Sequence, residues 1–117
     1  MESMAASDFE GAVDKFTEAI KLVPSAALFA SRGGAFLKMR KPIAAIRDAD
    51  KALELNPDSA KAFKTRGSGE AMLGRWVKAV HDLNTGQSID FDEDTAEQQK
   101  EIKAHSDRVL AKEAKRR

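Results

Sequence analysis

The sequence predicts an all-α fold in which helical hairpins stack side by side into a solenoid closed by a charged C-terminal capping helix. One observation behind this prediction is a repeat of residues 34 positions apart: Phe29, Arg32, Gly33, Ala45 and Ala52 recur as Phe63, Arg66, Gly67, Ala79 and Gly86. A second is that small residues occupy the positions where paired helices must touch. A third is the polar segment after the last repeat, of the kind that shields the apolar end of a solenoid.

A helical hairpin repeated every 34 residues is typical of tetratricopeptide (TPR) repeats, and the chain resembles this family. Each such repeat contains a helix A and a helix B. We expect a single domain over residues 1–117, because a chain of this length holds one hydrophobic core. Its expected parts are helix B of a truncated first repeat (8–24), a second repeat (26–57), a third repeat (60–91) and the capping helix (92–117).

The composition excludes several classes of protein. Twenty Lys and Arg residues nearly balance 19 Asp and Glu residues, so no strong attraction to nucleic acid or to an anionic membrane is expected. The apolar runs are too short for a membrane span or a signal peptide. The absence of cysteine excludes disulfides and thiol chemistry and fits a reducing compartment, so we expect a cytoplasmic protein.

The first predicted helix covers residues 9–22, with Asp8 as its N-cap. In the repeat alignment this helix is expected to be a helix B, and most of its partner helix A is absent. We therefore expect its apolar face to be covered by upstream residues or by a second chain, so that a homo-oligomer could form through this exposed helix.

The next two repeats are expected to contain two helices each. In the second repeat, Ala26–Lys38 is helix A, and Pro42 begins helix B because proline suits the first helical turn. In the third repeat, residues 60–73 form helix A, with Ser59 or its neighbour Asp58 as the N-cap, and Trp76–Ile89 forms helix B.

The predicted capping helix, residues 92–117, is opened by acidic residues and ends in basic ones, a polarity that complements the helix dipole. Its inward-facing residues are expected to be Ala96, Ile102, Val109 and Leu110.

No catalytic constellation is visible in the sequence. His81 and His105 lack the companion ligands that a metal site requires. The glycines of Gly33-Gly34 and Gly67-Ser68-Gly69 follow no predicted strand, so they do not form phosphate-binding loops. We expect no enzymatic activity, no metal and no cofactor. Trp76 is expected to pack against the turn rather than to stack on a ligand.

Two arginines stand at positions that are usually apolar in the repeat. Arg32 and Arg66 are each followed sixteen residues later by an aspartate, Asp48 and Asp82. We expect each arginine to cross its own hairpin and pair with that aspartate, which would make both arginines structural residues.

The stretch from Arg40 to Asp94 contains further, more specific motifs. They are a KPxAAIRDxDxALExNPDSAKxxKxRG run over 41–67, LGxW over 73–76, AxxDL over 79–83 and IDFDED over 89–94. Over roughly residues 9–117 the chain resembles the Hip family of co-chaperones, which interact with cytosolic seventy-kilodalton heat-shock chaperones. That resemblance implies that the repeats and the charged segment bind the chaperone's nucleotide-binding domain and slow the release of ADP.

On this reading the partner-binding surface combines basic and acidic side chains: Lys38, Lys61, Lys64, Arg75 and Lys78 with Asp92, Glu93 and Asp94. An alternative is a scaffold that captures a short peptide or a chaperone C-terminal tail in the concave groove lined by helices A. TPR domains that clamp such tails place Asn where this chain has Ser31 and Arg where it has Thr65, and only Lys61 matches their pattern. A third alternative is an adaptor joined to an enzyme domain, such as a thioredoxin.

Overall fold

The computed structural model describes residues 6–116, which form six α-helices joined by short turns. The all-α prediction is confirmed. The helices are α1 (Ala6–Leu22), α2 (Ala26–Lys38), α3 (Pro42–Leu55), α4 (Ala60–Met72), α5 (Trp76–Ile89) and α6 (Glu93–Arg116). Each helix packs on the next one along the chain, and α2 also packs on α4, as expected for stacked hairpins. The last predicted residue of the capping helix, Arg117, lies outside the described residues.

The start of α1 differs from the prediction. The helix begins at Ala6, so Asp8 lies inside the first turn and is not the N-cap. A carboxylate in the first turn still interacts favourably with the partial positive charge at the helix N-terminus. The helix packs against α2, and association of two chains through its remaining surface stays a prediction.

The starts of the later helices follow the sequence signals. Ser25 and Ser59 cap α2 and α4, each accepting a hydrogen bond of 3.2 Å at its Oγ from the backbone N–H of Leu28 or Ala62. Pro42 is the first residue of α3. Helix α4 ends at Met72, one residue earlier than predicted.

The core consists mainly of small residues, which bring the helices into close contact. Leu83 is the largest side chain that is fully buried. Among the residues whose burial the structure describes, six alanines are completely inaccessible to solvent: Ala30, Ala45, Ala49, Ala52, Ala62 and Ala79.

Two glycines give opposite expectations for substitution. A Cβ atom on Gly67 would lie 2.8 Å from Leu83 Cγ and 3.2 Å from the carbonyl oxygen of Ala79, whereas a Cβ atom on Gly34 would meet nothing within 4 Å. We expect Gly67→Ala to destabilise the domain by about 1–3 kcal/mol through overpacking. Gly34→Ala should stabilise it by up to about 1 kcal/mol, because alanine is the better helix former. Urea unfolding of both variants tests this, and a stabilising Gly67→Ala would contradict it.

The capping helix is held at its start by Asp92, which accepts hydrogen bonds from the N–H of Thr95 (2.7 Å) and from the hydroxyl of Thr95 (2.8 Å). The predicted inward face is partly correct: Ile102 is buried, and Ala96 and Val109 are half-buried. Leu110, however, is 49% exposed, and the buried positions beside Ile102 are Thr95 and Ser106. Small polar residues therefore take part in this face.

Within residues 6–116 the structure contains no helix that is both long and apolar enough to cross a membrane.

Candidate protein-interaction surface

The two predicted arginine–aspartate pairs are present, and both are bidentate. Arg32 donates from Nε and Nη2 to the two carboxylate oxygens of Asp48 at 2.8 and 2.7 Å. Arg66 does the same to Asp82 at 2.8 and 2.9 Å. Hydrogen bonding to its aspartate raises the pKa of each guanidinium, so both arginines stay charged. The predicted pairing of each arginine with the aspartate of its own hairpin is confirmed.

Each arginine also reaches back to helix B of the preceding repeat through its third nitrogen. Nη1 of Arg32 donates to the hydroxyl of Thr17 at 3.1 Å, and Nη1 of Arg66 donates to the carboxylate of Asp50 at 3.0 Å. One guanidinium therefore connects three helices. This third contact was not predicted, although Thr17 and Asp50 lie 33 residues apart, close to the 34-residue repeat.

Glu70 lies beside Asp82 and only 7% of its surface is exposed. Burial, followed by the hydrogen bond with Asp82, raises the pKa of Glu70 to about 8. The pKa of Asp82 is lowered because, although burial opposes the charge, the hydrogen bonds from Arg66 and Glu70 favour it. The raised pKa of Glu70 favours its protonated carboxyl group, the form that can donate a hydrogen bond to Asp82. Oε1 of Glu70 is buried without a hydrogen-bond partner among the described residues.

The concave groove runs between α2, α4 and α6. In its first chamber, of about 350 Å³, Nζ of Lys61 donates to Ser31 Oγ at 2.9 Å. Lys64 is paired with Asp92 at 2.7 Å and also donates to the carbonyl oxygen of Asp90. The hydrogen bond from Lys64 to the Asp92 carboxylate, together with the two from Thr95, lowers the pKa of Asp92 to about 2. The chamber is lined by Leu37, Ala60, Lys61, Lys64, Thr65, Ser68, Asp90, Asp92, Thr95 and Gln98.

A second chamber of about 310 Å³ continues the groove toward the other end of α4. The two chambers share Ser68 and Gln98, whose side chains lie 3.3 Å apart. The far wall is formed by the rings of Trp76 and His105, stacked with their centres 4.2 Å apart. Trp76 also packs against the core cluster that contains Leu83, whereas the prediction placed it against the turn. The chamber is lined by Arg40, Ser68, Ala71, Met72, Trp76, Gln98, Glu101, Ile102 and His105.

The sequence of the chain is similar to parts of two longer proteins. No protein-family profile matches the chain. The chain is 43% identical to the TPR repeat-containing thioredoxin TDX of Arabidopsis thaliana over 110 residues, and this aligned region covers 93% of the chain. It is 47% identical over 102 residues, or 86% of this chain, to Hsc70-interacting protein 1 of Drosophila melanogaster. The chain spans only 29% and 27% of the length of these two relatives.

Solved structures decide the fold. The Arabidopsis OM64 TPR domain superposes with a TM-score of 0.77 at 29% identity, covering 85% of this chain and 84% of that one. The chain folds as a TPR domain. The second TPR domain of human RPAP3, solved in complex with the HSP70 peptide SGPTIEEVD, gives a TM-score of 0.74 at 28% identity and covers 83% and 82% of the two chains. The chain is thus similar to part of Hsc70-interacting protein 1 and to the TPR domains of OM64 and RPAP3.

The TPR fold separates the residues that the sequence grouped into one partner-binding surface. Lys61, Lys64 and Asp92 share the first chamber, and Glu93 and Asp94 are exposed on the first turn of α6. Lys64 and Asp92 largely neutralise each other, and the Lys64 side chain is only 16% exposed.

Arg75 and Lys78 belong to a different side of the TPR domain. They line a cavity of about 590 Å³ between α3, α4 and α5, together with Arg66 and Glu70. On α4, the helical repeat of 3.6 residues places Arg66 and Glu70 opposite Lys61 and Lys64. Lys38 is exposed at the end of α2. A partner that touches all of the predicted residues must therefore reach two sides of the domain.

The described residues contain no group of His, Cys, Asp and Glu side chains that could hold a metal ion. Nδ1 of His105 instead lies 2.8 Å from a guanidinium nitrogen of Arg108, and His81 is exposed on α5.

Proposed function

We propose that this TPR domain is a non-enzymatic co-chaperone module that binds the nucleotide-binding domain of a cytoplasmic seventy-kilodalton heat-shock chaperone and slows ADP release. The observation that carries the proposal is the 47% identity to Hsc70-interacting protein 1 over 86% of the chain. Motif resemblance to the Hip co-chaperones supports the choice of the nucleotide-binding domain as the contact.

The geometry supports a surface that includes the capping helix. The Lys64–Asp92 salt bridge fixes the start of α6 against α4, so the charged helix forms one wall of the groove. Lys61 keeps an exposed ammonium group whose described partner is the neutral hydroxyl of Ser31. A folded partner seated over the groove would meet Lys61 together with the exposed carboxylates of Glu93 and Asp94.

A second candidate is capture of a chaperone C-terminal tail in the groove. It is favoured by the homologous RPAP3 domain, which was solved with the HSP70 peptide SGPTIEEVD. The groove of this chain has fewer free cations for a terminal carboxylate than the groove of a tail-clamping TPR domain. Lys64 is already paired with Asp92, and Thr65 stands where tail-clamping domains carry Arg.

Titration calorimetry separates the two candidates. The chain is titrated with an isolated chaperone nucleotide-binding domain in ADP and, separately, with the peptide SGPTIEEVD. We expect Lys61→Glu to weaken binding of the nucleotide-binding domain roughly tenfold, and the Glu93→Gln/Asp94→Asn pair to weaken it several-fold, with both effects reduced by salt. Lys15→Glu, at an exposed position on α1, is the charge-matched control.

The tail-binding candidate gives a different pattern, because the peptide needs Lys61 but not the carboxylates of α6. Binding of the peptide without binding of the nucleotide-binding domain would contradict the proposal. The ADP step is measured as the release rate of a fluorescent ADP analogue from the chaperone, which the chain should slow and Lys61→Glu should restore.

A further inference from the structure

The turn between α2 and α3 contains an arginine in an unfavourable backbone conformation. Arg40 has φ +61°, and the residue 34 positions later in the corresponding turn is Gly74, with φ +74°. Glycine adopts this left-handed conformation freely, whereas a residue with a Cβ atom pays on the order of 1 kcal/mol. The chain therefore carries an arginine where its own repeat shows that glycine would fit better.

The same turn concentrates positive charge. Residues 38–41 read Lys-Met-Arg-Lys, while the corresponding residues 72–75 read Met-Leu-Gly-Arg. Among the side chains that the structure describes, none of the three cations of the 38–41 turn forms an ion pair, and all three are exposed. This segment, called the basic turn below, is therefore free to pair with carboxylates of another molecule.

Arg40 also lines the second chamber of the groove, where four of the other eight lining residues are apolar. Met72 is 38% exposed there, and Ile102 and Trp76 form the adjoining surface. The Trp76–His105 stack fixes the position of the far wall. At about 310 Å³ the chamber has room for one large apolar side chain, and Glu101 is the one carboxylate among its lining residues.

We propose that the second chamber and the basic turn bind an acidic segment of a partner protein. One large apolar side chain of that segment enters the chamber beside Trp76 and Met72, and neighbouring carboxylates pair with Arg40 and the lysines of the turn. The chemistry follows from the apolar surface of Met72, Trp76 and Ile102 within the chamber, which is bordered by unpaired cations. The inference rests on the proposed function only for the identity of the partner.

Trp76 gives a direct readout because it is the only tryptophan in the sequence. Its fluorescence and its indole N–H signal in NMR spectra report on the chamber itself. Two probes are titrated into the full chain: the chaperone nucleotide-binding domain in ADP, and a blocked peptide with one leucine between two pairs of glutamates. Both are expected to shift the Trp76 signals in a saturable manner, and an otherwise identical peptide with alanine in place of leucine should bind more weakly.

Arg40→Gly is the central variant, because it removes the charge while restoring the residue that suits the backbone. We expect it to be at least as stable as the wild type and yet to bind both probes roughly tenfold more weakly, the loss expected for one charged hydrogen bond. Arg47→Ala removes one positive charge from an exposed position on α3 and should leave binding unchanged. Met72→Gln should weaken the leucine peptide but not the alanine peptide.

The outcomes of the two titrations are distinguishable. Wild-type affinity in Arg40→Gly, or a Trp76 signal that does not respond to either probe, overturns the inference. If the nucleotide-binding domain binds and neither probe moves the Trp76 signals, the proposed function stands and the acidic-segment site is wrong. If the leucine peptide binds at Trp76 but the nucleotide-binding domain does not bind, the site stands and the proposed partner is wrong.

Discussion

Replacing Glu70 with glutamine should stabilise the domain by about 2 kcal/mol at pH 8 and change its stability little at pH 4.5. Glutamine has the shape of the protonated acid and always carries a donor for Asp82. The wild-type glutamate is buried and adjoins Asp82, so it is stable in the fold only while it holds its proton. The figure is well below the full linkage value, because solvent relaxation around the ionised group reduces the cost.

The direction of the pH dependence follows from the two states of Glu70. In the unfolded chain it ionises near its ordinary pKa of 4.5, whereas in the fold it keeps its proton up to about pH 8. Unfolding therefore releases a proton between these values. The stability from Glu70 is complete below pH 4.5 and is lost progressively as the pH rises toward 8.

Urea unfolding between pH 4.5 and 8.5 measures this effect, with Glu113→Gln at an exposed position of α6 as the matched control. The gap between wild type and Glu70→Gln should widen with pH, while the control should follow the wild type. Parallel curves for Glu70→Gln and the wild type would show that Glu70 is already ionised in the folded protein at neutral pH.

The helices and the arginine–aspartate pairs could be predicted because both depend on spacing along the chain. The boundaries of α2 and α5 match the prediction, since Ser25 and the turn at Gly74 mark them locally. Sixteen residues separate Arg32 from Asp48, and any hairpin of this length brings the two positions opposite each other.

The remaining features depend on the environment of a side chain, which spacing does not describe. Glu70 occupies the position of Phe36 in the preceding repeat, but its protonation depends on the burial of Asp82 beside it. Thr95 and Ser106 are buried although neither is apolar, so a hydrophobic pattern could not indicate them. The separation of Arg75 from Lys61 depends on how the hairpins stack around α4, so a charge pattern along the sequence could not reveal it.

Replacing Arg66 with methionine should destabilise the domain by roughly 3 kcal/mol, more than the same change at Arg32. Methionine keeps an apolar stem over the ring of Phe63, so the loss comes mainly from the guanidinium. Arg66 neutralises Asp82 and also Asp50, whereas the third contact of Arg32 is the neutral hydroxyl of Thr17. Removing Arg66 thus leaves a buried carboxylate without its cation, next to Glu70.

A double-mutant cycle with Asp82→Asn tests this explanation, because it removes the orphaned charge. If the buried carboxylate causes the loss, Arg66→Met/Asp82→Asn should be more stable than Arg66→Met by about 2 kcal/mol. An additive double mutant would instead assign the loss to packing of the arginine stem.

Comparing Arg66→Met with Arg32→Met isolates the contribution of the contact that each arginine makes with the preceding repeat. Asp50 is 55% exposed, so its salt bridge with Arg66 should contribute less than the pair with Asp82 and should weaken with added salt. We therefore expect the difference between Arg66→Met and Arg32→Met to shrink in 1 M NaCl, but not to vanish, because Glu70 remains beside the unpaired Asp82. Equal losses in low salt would mean that each arginine acts only within its own hairpin, and that contact with the preceding helix adds nothing to the stability of the solenoid.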